Sequence, residues 1–134
     1  MLNTNMTTIL REIGGLIEFF ACMHVKNVVD MVIDMVISTI VFCGDEPDIK
    51  KGKPHPDPFL ATMNRFPVKP SDPSKVLVFE DAPNGGRAAV AAGMKCVMVP
   101  NERYRQEALK IGVTQVLHSL EEFRPEEFGL PPFD

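Results

Sequence analysis

Two adjacent acids, Glu80 and Asp81, close the apolar run Val76-Leu77-Val78-Phe79, and a Pro-Asn-Gly-Gly turn follows them. In an open α/β sheet, ligands gather just beyond the carboxyl ends of the parallel strands. Two carboxylates at that place read as a hard-cation site, because Mg2+ takes a few carboxylates and completes its shell with water and phosphate oxygens. The competing reading is a surface turn in which Asp81 only caps the residues after it. Asn84-Gly85-Gly86 adds backbone N–H groups at a helix start, where anions are favoured, and makes Asn84 the substrate-side candidate. That signal is weak by itself.

The second constellation is Gly52-Lys53-Pro54-His55-Pro56-Asp57. Glycine and prolines confine Lys53 to a short, stiff loop, and the residue before a proline is biased towards extended backbone. An ammonium held there is a compact donor able to grip a phosphoryl oxygen. The hexapeptide also describes an ordinary solvated loop lysine. His55 reads as incidental, with no second ligand or nucleophile identifiable nearby, and Asp45 and Asp48 read as solvated loop acids.

These groups need elements to position them. Apolar residues at three- and four-residue steps (Ile9, Ile13, Leu16, Phe20) predict a helix from about Thr8 to Met23. Val28–Val36 is ambiguous between helix and strand. Thr39–Cys43 reads as a short buried strand, and residues 44–57 as a loop. Asp57-Pro58 looks like a helix start, with an acid at the N-cap and proline at the first helical position, and that helix should run to about Arg65. A strand over Val76–Phe79, a helix over 85–92 stopped by Gly93, and a strand over Lys95–Val99 follow. An exposed helix over Glu102–Ile111, a short strand at Val116-Leu117 and an irregular tail over 121–134 complete the pattern. Strands alternating with helices predict a parallel sheet covered on both faces.

The bulk composition narrows the classes. The 134 residues make one domain, able to bury roughly two thirds of its unfolded surface. Fourteen Lys and Arg against 18 Asp and Glu give a formal charge of −4, without the basic footprint of a nucleic-acid binder. The longest charge-free stretch in the apolar N-terminal part is Met35–Gly44, about half of what a membrane-spanning helix needs. No secretory signal is evident. Cys22, Cys43 and Cys96 sit among apolar neighbours at spacings that fit no zinc motif, so they read as buried reduced thiols in a cytoplasmic protein.

In this order, GKPHPD, a helix, VLVFEDAPNGGRAAVAAGMKCVMVP and the ending SLEEFRPEEFGLPPFD resemble the haloacid-dehalogenase-like hydrolases, nearest to the pseudouridine-5′-phosphatase branch. The resemblance covers residues 40 to 134. It implies the C-terminal part of a Rossmann-like core over 38–134, preceded by an atypical, helical and apolar segment over 1–37. It also implies a Mg2+-dependent phosphatase acting on a small phosphorylated metabolite such as a nucleotide or sugar phosphate. Lys53 matches the family's phosphoryl-binding lysine, and Glu80 and Asp81 match its Mg2+-binding acids. The chemical logic agrees: a carboxylate nucleophile splits one hard step into two, while metal and lysine neutralise phosphoryl charge.

The sequence departs from the family in one decisive respect. The nucleophile motif places two aspartates one residue apart. The aspartates here are Asp30, Asp34, Asp45, Asp48, Asp57, Asp72, Asp81 and Asp134, and no two have that spacing. The helical cap that chooses substrate has no counterpart either. The expectation is a truncated, inactive phosphatase chain; the alternative is a non-catalytic binding or interaction remnant of the same fold. Two strands would lack the neighbours that normally separate them, and an exposed sheet edge invites association. Residues 1–37 are expected to cover part of that gap.

Overall fold

The structure, a computed structural model, describes residues 21–24 by their main chain, and residues 49–65 and 70–129 in full. The elements expected over Val28–Val36 and Thr39–Cys43, and most of the segment 1–37, lie outside the described residues. Among the described residues, a four-stranded sheet forms the centre, in the order β1 (Ala21–His24), β2 (Val76–Glu80), β3 (Lys95–Met98), β4 (Gln115–Val116). β2, β3 and β4 run parallel, as the alternation of strands and helices predicts. β1 pairs antiparallel with β2, from Ala21 opposite Phe79 to His24 opposite Val76.

β1 corrects one expectation. The helix predicted from Thr8 to Met23 does not include its last three residues, which are strand. The edge of β2 explains the change. Unpaired backbone groups beside a buried strand outweigh a weak local helix preference, so tertiary pairing decides. Residues 21–24 thus lend main chain to one edge of β2.

β2 is buried along all five residues, Val-Leu-Val-Phe-Glu. Successive side chains point to opposite faces, and the two faces meet different partners. Val76 and Val78, with Cys96 and Met98 of β3, pack into a core with Phe59, Met63, Ala88, Ala89 and Ala92. Phe79 points the other way, where its ring meets Phe123 edge-on at 5.0 Å between centroids.

Helix α1 spans Asp57–Asn64, one residue short of the expected end. Its cap differs from the expectation: Pro56, not Asp57, holds the cap position. The Pro56 carbonyl accepts the N–H groups of Phe59 and Leu60 at 3.1 and 3.0 Å. The Asp57 carboxylate turns instead to the Lys51 N–H at 3.1 Å, closing the preceding loop. Helix α2 spans Pro83–Ala91, and its small residues Gly85, Gly86, Ala88 and Ala89 are buried. That face lets the helix lie close on the sheet. At Gly86 an added Cβ would stand 2.5 Å from Met98 Sδ. Gly93 ends the helix at φ +75°, the left-handed geometry that glycine adopts without strain.

The expected helix over Glu102–Ile111 is shorter. A 3-10 turn, Glu102–Tyr104, leads into a single α-helical turn, α3 (Arg105–Ala108), in which Ala108 is the buried residue. One apolar anchor holds little more than one turn. The last strand is shifted one residue from Val116-Leu117, although Leu117 N–H still donates to the Met98 carbonyl at 2.8 Å. The tail, expected as coil, contains two 3-10 turns, Leu120–Glu122 and Pro125–Phe128, through residue 129. They carry Phe123 and Phe128 onto the second face of the sheet, with ring centroids 5.4 Å apart.

Phe123 is 2% exposed and joins the tail to β2 through Phe79. Phe123→Ala should cost about 3 kcal/mol, read as a lower urea midpoint with an unchanged slope.

Candidate functional site

The carboxyl end of β2 holds the chemistry. Glu80 is the last strand residue and is 4% exposed. It shares the strand face of Val76 and Val78, so its carboxylate runs beneath the start of α2 and not out to solvent. Asp81, one residue further on, is exposed. The chain therefore gives its two adjacent acids opposite environments by strand alternation alone.

Lys53 reaches Glu80 from a loop 27 residues away in sequence, and its Nζ donates to Glu80 Oε1. The loop turns tightly here: His55 N–H donates to the Gly52 carbonyl at 3.0 Å, and the Lys53–Pro54 peptide is cis. Lys53 Nζ also lies 5.3 Å from the centroid of the Phe59 ring, at the start of α1. Ring face and carboxylate together hold the ammonium at the strand end. The Lys53 side chain stays 36% exposed against 2% for that of Glu80, so the pair joins a solvent-facing cation to a buried anion.

Three features accommodate the Glu80 charge besides Lys53. The Ala82 backbone favours the charged form. The positive end of the α2 dipole lies against it. Gly85 leaves room, because a Cβ at that position would overlap the carboxylate. Even so, burial holds the Glu80 carboxyl above its ordinary range; Lys53 opposes the shift without cancelling it, and Asp81 adds to it. The folded chain therefore binds that proton more tightly than the unfolded one. Stability from this group is fully present below about pH 4.5 and declines as pH rises through the raised value.

Asn84 stands exposed in the first turn of α2, with Oδ1 accepting from Arg87 Nη1 at 3.2 Å. Arg87 in turn donates from Nη2 to Glu107 Oε1 at 2.7 Å, tying α2 to α3 at the surface. Of the Asn84-Gly85-Gly86 amides, that of Gly86 is taken by the Ala82 carbonyl at 3.1 Å. The His55 side chain is exposed. Asp45 and Asp48 lie outside the described residues.

Cys96 lies behind the pair on β3, fully buried and unbridged. Burial pushes its thiol up to about 12, and the Glu80 charge adds to the rise. It is an inert core thiol, as the sequence predicts.

Sequence reasoning overlooked Phe59 and Ala82. Gly85, which the sequence presents as part of an anion cradle at the helix start, serves as clearance for Glu80.

Among the described residues, no three His, Cys, Asp or Glu side chains gather closely enough to hold a metal ion. Mg2+ needs only one or two protein carboxylates when phosphate and water fill the other positions. An exposed carboxylate at the strand end, beside a lysine partly open to solvent, fits that donor set.

Two outcomes follow from this geometry. Ordinarily an alanine in place of a mid-helix glycine stabilises by about 0.5–1 kcal/mol. Gly85→Ala should instead destabilise by about 1–2 kcal/mol, because overpacking against Glu80 prevails; thermal unfolding against wild type decides. Alkylation of the native chain at pH 8, mapped by mass spectrometry, should leave Cys96 unmodified until the chain is unfolded.

Known proteins share this arrangement of segments. Residues 24–99 match the haloacid dehalogenase-like hydrolases. The chain is 54% identical over 90 residues to (DL)-glycerol-3-phosphatase 1, mitochondrial, of Arabidopsis thaliana, covering 67% of this chain and 30% of that protein. It is 53% identical over 91 residues to (DL)-glycerol-3-phosphatase 2 of the same plant, covering 68% and 38%. It is 53% identical over 92 residues to a probable pseudouridine-5′-phosphatase of Drosophila melanogaster, covering 68% and 39%. The chain thus spans between 30% and 39% of the length of these relatives. No helix among the described residues is long and apolar enough to cross a membrane. A family match over more than half its length, and the α/β sheet that carries the strand-end acids, establish that the chain belongs to the haloacid dehalogenase-like hydrolases.

Proposed function

We propose that these residues form the phosphoryl-binding half of a Mg2+-dependent phosphomonoesterase centre, and that the 134-residue chain binds a small phosphorylated metabolite without hydrolysing it. The observation that carries the reading is the Lys53 ammonium, anchored by Glu80 at the carboxyl end of β2 beside the exposed Asp81. Relatives named as phosphatases of glycerol phosphate and pseudouridine 5′-phosphate support phosphomonoesters as the substrate class. A buried, unbridged Cys96 suits a reducing compartment such as the cytoplasm.

Each residue has a definite task. Lys53 carries three N–H donors; it donates to Glu80, and in the proposed complex it also donates to a phosphoryl oxygen. Glu80 fixes where that donor stands. The strand-end acids provide the carboxylate oxygens for Mg2+, which when bound neutralises phosphoryl charge. Covalent transfer requires a nucleophile, and no two aspartates of this sequence are separated by one residue. Loss of a nucleophile removes nearly all chemical turnover while leaving binding groups in place.

With Mg2+ present, the chain should release no phosphate from pseudouridine 5′-phosphate or glycerol 3-phosphate above the rate in buffer. It should bind inorganic phosphate, with affinity about tenfold weaker in Lys53→Ala, in line with the ~1.5–3 kcal/mol of a charged hydrogen bond. Turnover that Asp81→Ala abolishes would refute the absence of catalysis. Equal phosphate affinity in wild type and Lys53→Ala would remove Lys53 from the site.

A further inference from the structure

We propose that the outer surface where α2 meets α3 is a docking face for a second copy of this chain, joined through Arg87 and Glu107 of each copy. The face lies on the outward side of α2, away from the packing of that helix on the sheet. It uses neither the strand-end acids nor Lys53, and it stands or falls apart from the proposed function.

The outward side of α2 differs from that of an ordinary solvated helix. Its inward residues are Gly85, Gly86, Ala88 and Ala89, and the opposite side of such a helix is normally polar. The last turn instead exposes Val90 and Ala91. Leu109, the C-cap of α3, also faces outward, although the residue before it, Ala108, is buried. At 40% and 53% exposure, Val90 and Leu109 are the two exposed large apolar side chains among the described residues. Both belong to one place. Val90 lines an open cleft of about 420 Å³ together with Arg87, Ala91, Glu107, Lys110 and Ile111, and Leu109 adjoins it between Ala108 and Lys110. Apolar side chains scattered singly over a surface need no explanation, whereas apolar side chains gathered beside a cleft and rimmed by charge mark an interaction site.

The charges choose the occupant. Arg87 Nη2 donates to Glu107 Oε1 at 2.7 Å, and both side chains are exposed. Arg87 Nη1 donates to Asn84 Oδ1. A guanidinium has five N–H donors and a carboxylate two acceptor oxygens, so each group can take a further partner. A cation and an anion side by side on one apolar face make that face complementary to itself. About a two-fold axis, Arg87 of each copy meets the partner's Glu107, and the two ion pairs close into a ring of four alternating charges. Leu109 of each copy then has the other's cleft to enter. Lys110 keeps its ammonium in water at the end of a long stem. An acidic partner would answer Arg87 and Lys110 but would set its carboxylates against Glu107.

The test is sedimentation velocity on the full chain over a wide range of concentration, with circular dichroism to confirm that each variant is folded. The wild type should show a concentration-dependent dimer. Leu109→Glu should weaken it by at least tenfold, because a charge would be buried in the apolar centre. Arg87→Glu and Glu107→Arg should each weaken it by at least tenfold, since like charges then face one another across the axis. An equimolar mixture of these two variants should associate within about threefold of the wild type, because the mixed dimer regains both ion pairs. If Arg87 and Glu107 acted only within one copy, mixing would restore nothing, so the mixture separates docking from a merely structural role. A wild-type chain that stays monomeric, a dimer indifferent to Leu109→Glu and to both charge reversals, or a mixture that remains as weak as its components overturns the proposal. Should Leu109→Glu fail to fold, the two charge reversals and their mixture decide the matter.

Discussion

A carboxylate under a helix start is the constraint on which this end of the molecule depends. Glu80 is buried at the end of a strand, and a buried charge must be matched by a partner and by hydrogen bonds. Lys53 and the α2 start supply the match. Each requirement fixes something else. Lys53 must come from a loop stiff enough to hold it. Gly85 must lack a side chain. The strand must end where it does, so that the next acid faces solvent. The pair contributes little net stability, since desolvation nearly balances attraction. What it contributes is placement.

Much of this was legible in the sequence. The strands over Val76–Phe79 and Lys95–Val99 and the helix after Asp57 follow from apolar runs bounded by proline, glycine and acids, and they stand within a residue or two of expectation. Lys53, Glu80 and Asp81 were recognisable as chemical candidates by type and position. Less legible was what depends on distant residues. Nothing local in Ala21–His24 announces a strand, because its partner lies more than fifty positions away. Nothing in Glu80-Asp81 announces that one acid is enclosed and the other open, because that follows from α2 packing on Gly85 and from a lysine 27 residues upstream. The 3-10 turns of the tail were hidden by its prolines, which read as coil until Phe123 and Phe128 are seen anchored on the sheet.

The small-residue face of α2 links the core to the chemistry. Gly85, Gly86, Ala88 and Ala89 bring the helix backbone down onto β2 and β3. The same closeness that excludes a void in the core brings the helix dipole to Glu80. Packing and electrostatics are therefore not separable at this point: a side chain added for one alters the other.

β2 carries the core and the site in a single odd–even frame. Val76, Val78 and Glu80 occupy one frame, and Leu77 and Phe79 occupy the other. A slip of one residue against β3 would carry the carboxylate across to the aromatic face by Phe123 and bring a phenyl ring beneath α2. The acid then acts as a spelling check on the fold. Only one alignment of the strands gives its charge a partner, so a misaligned sheet is rejected by electrostatics as well as by shape.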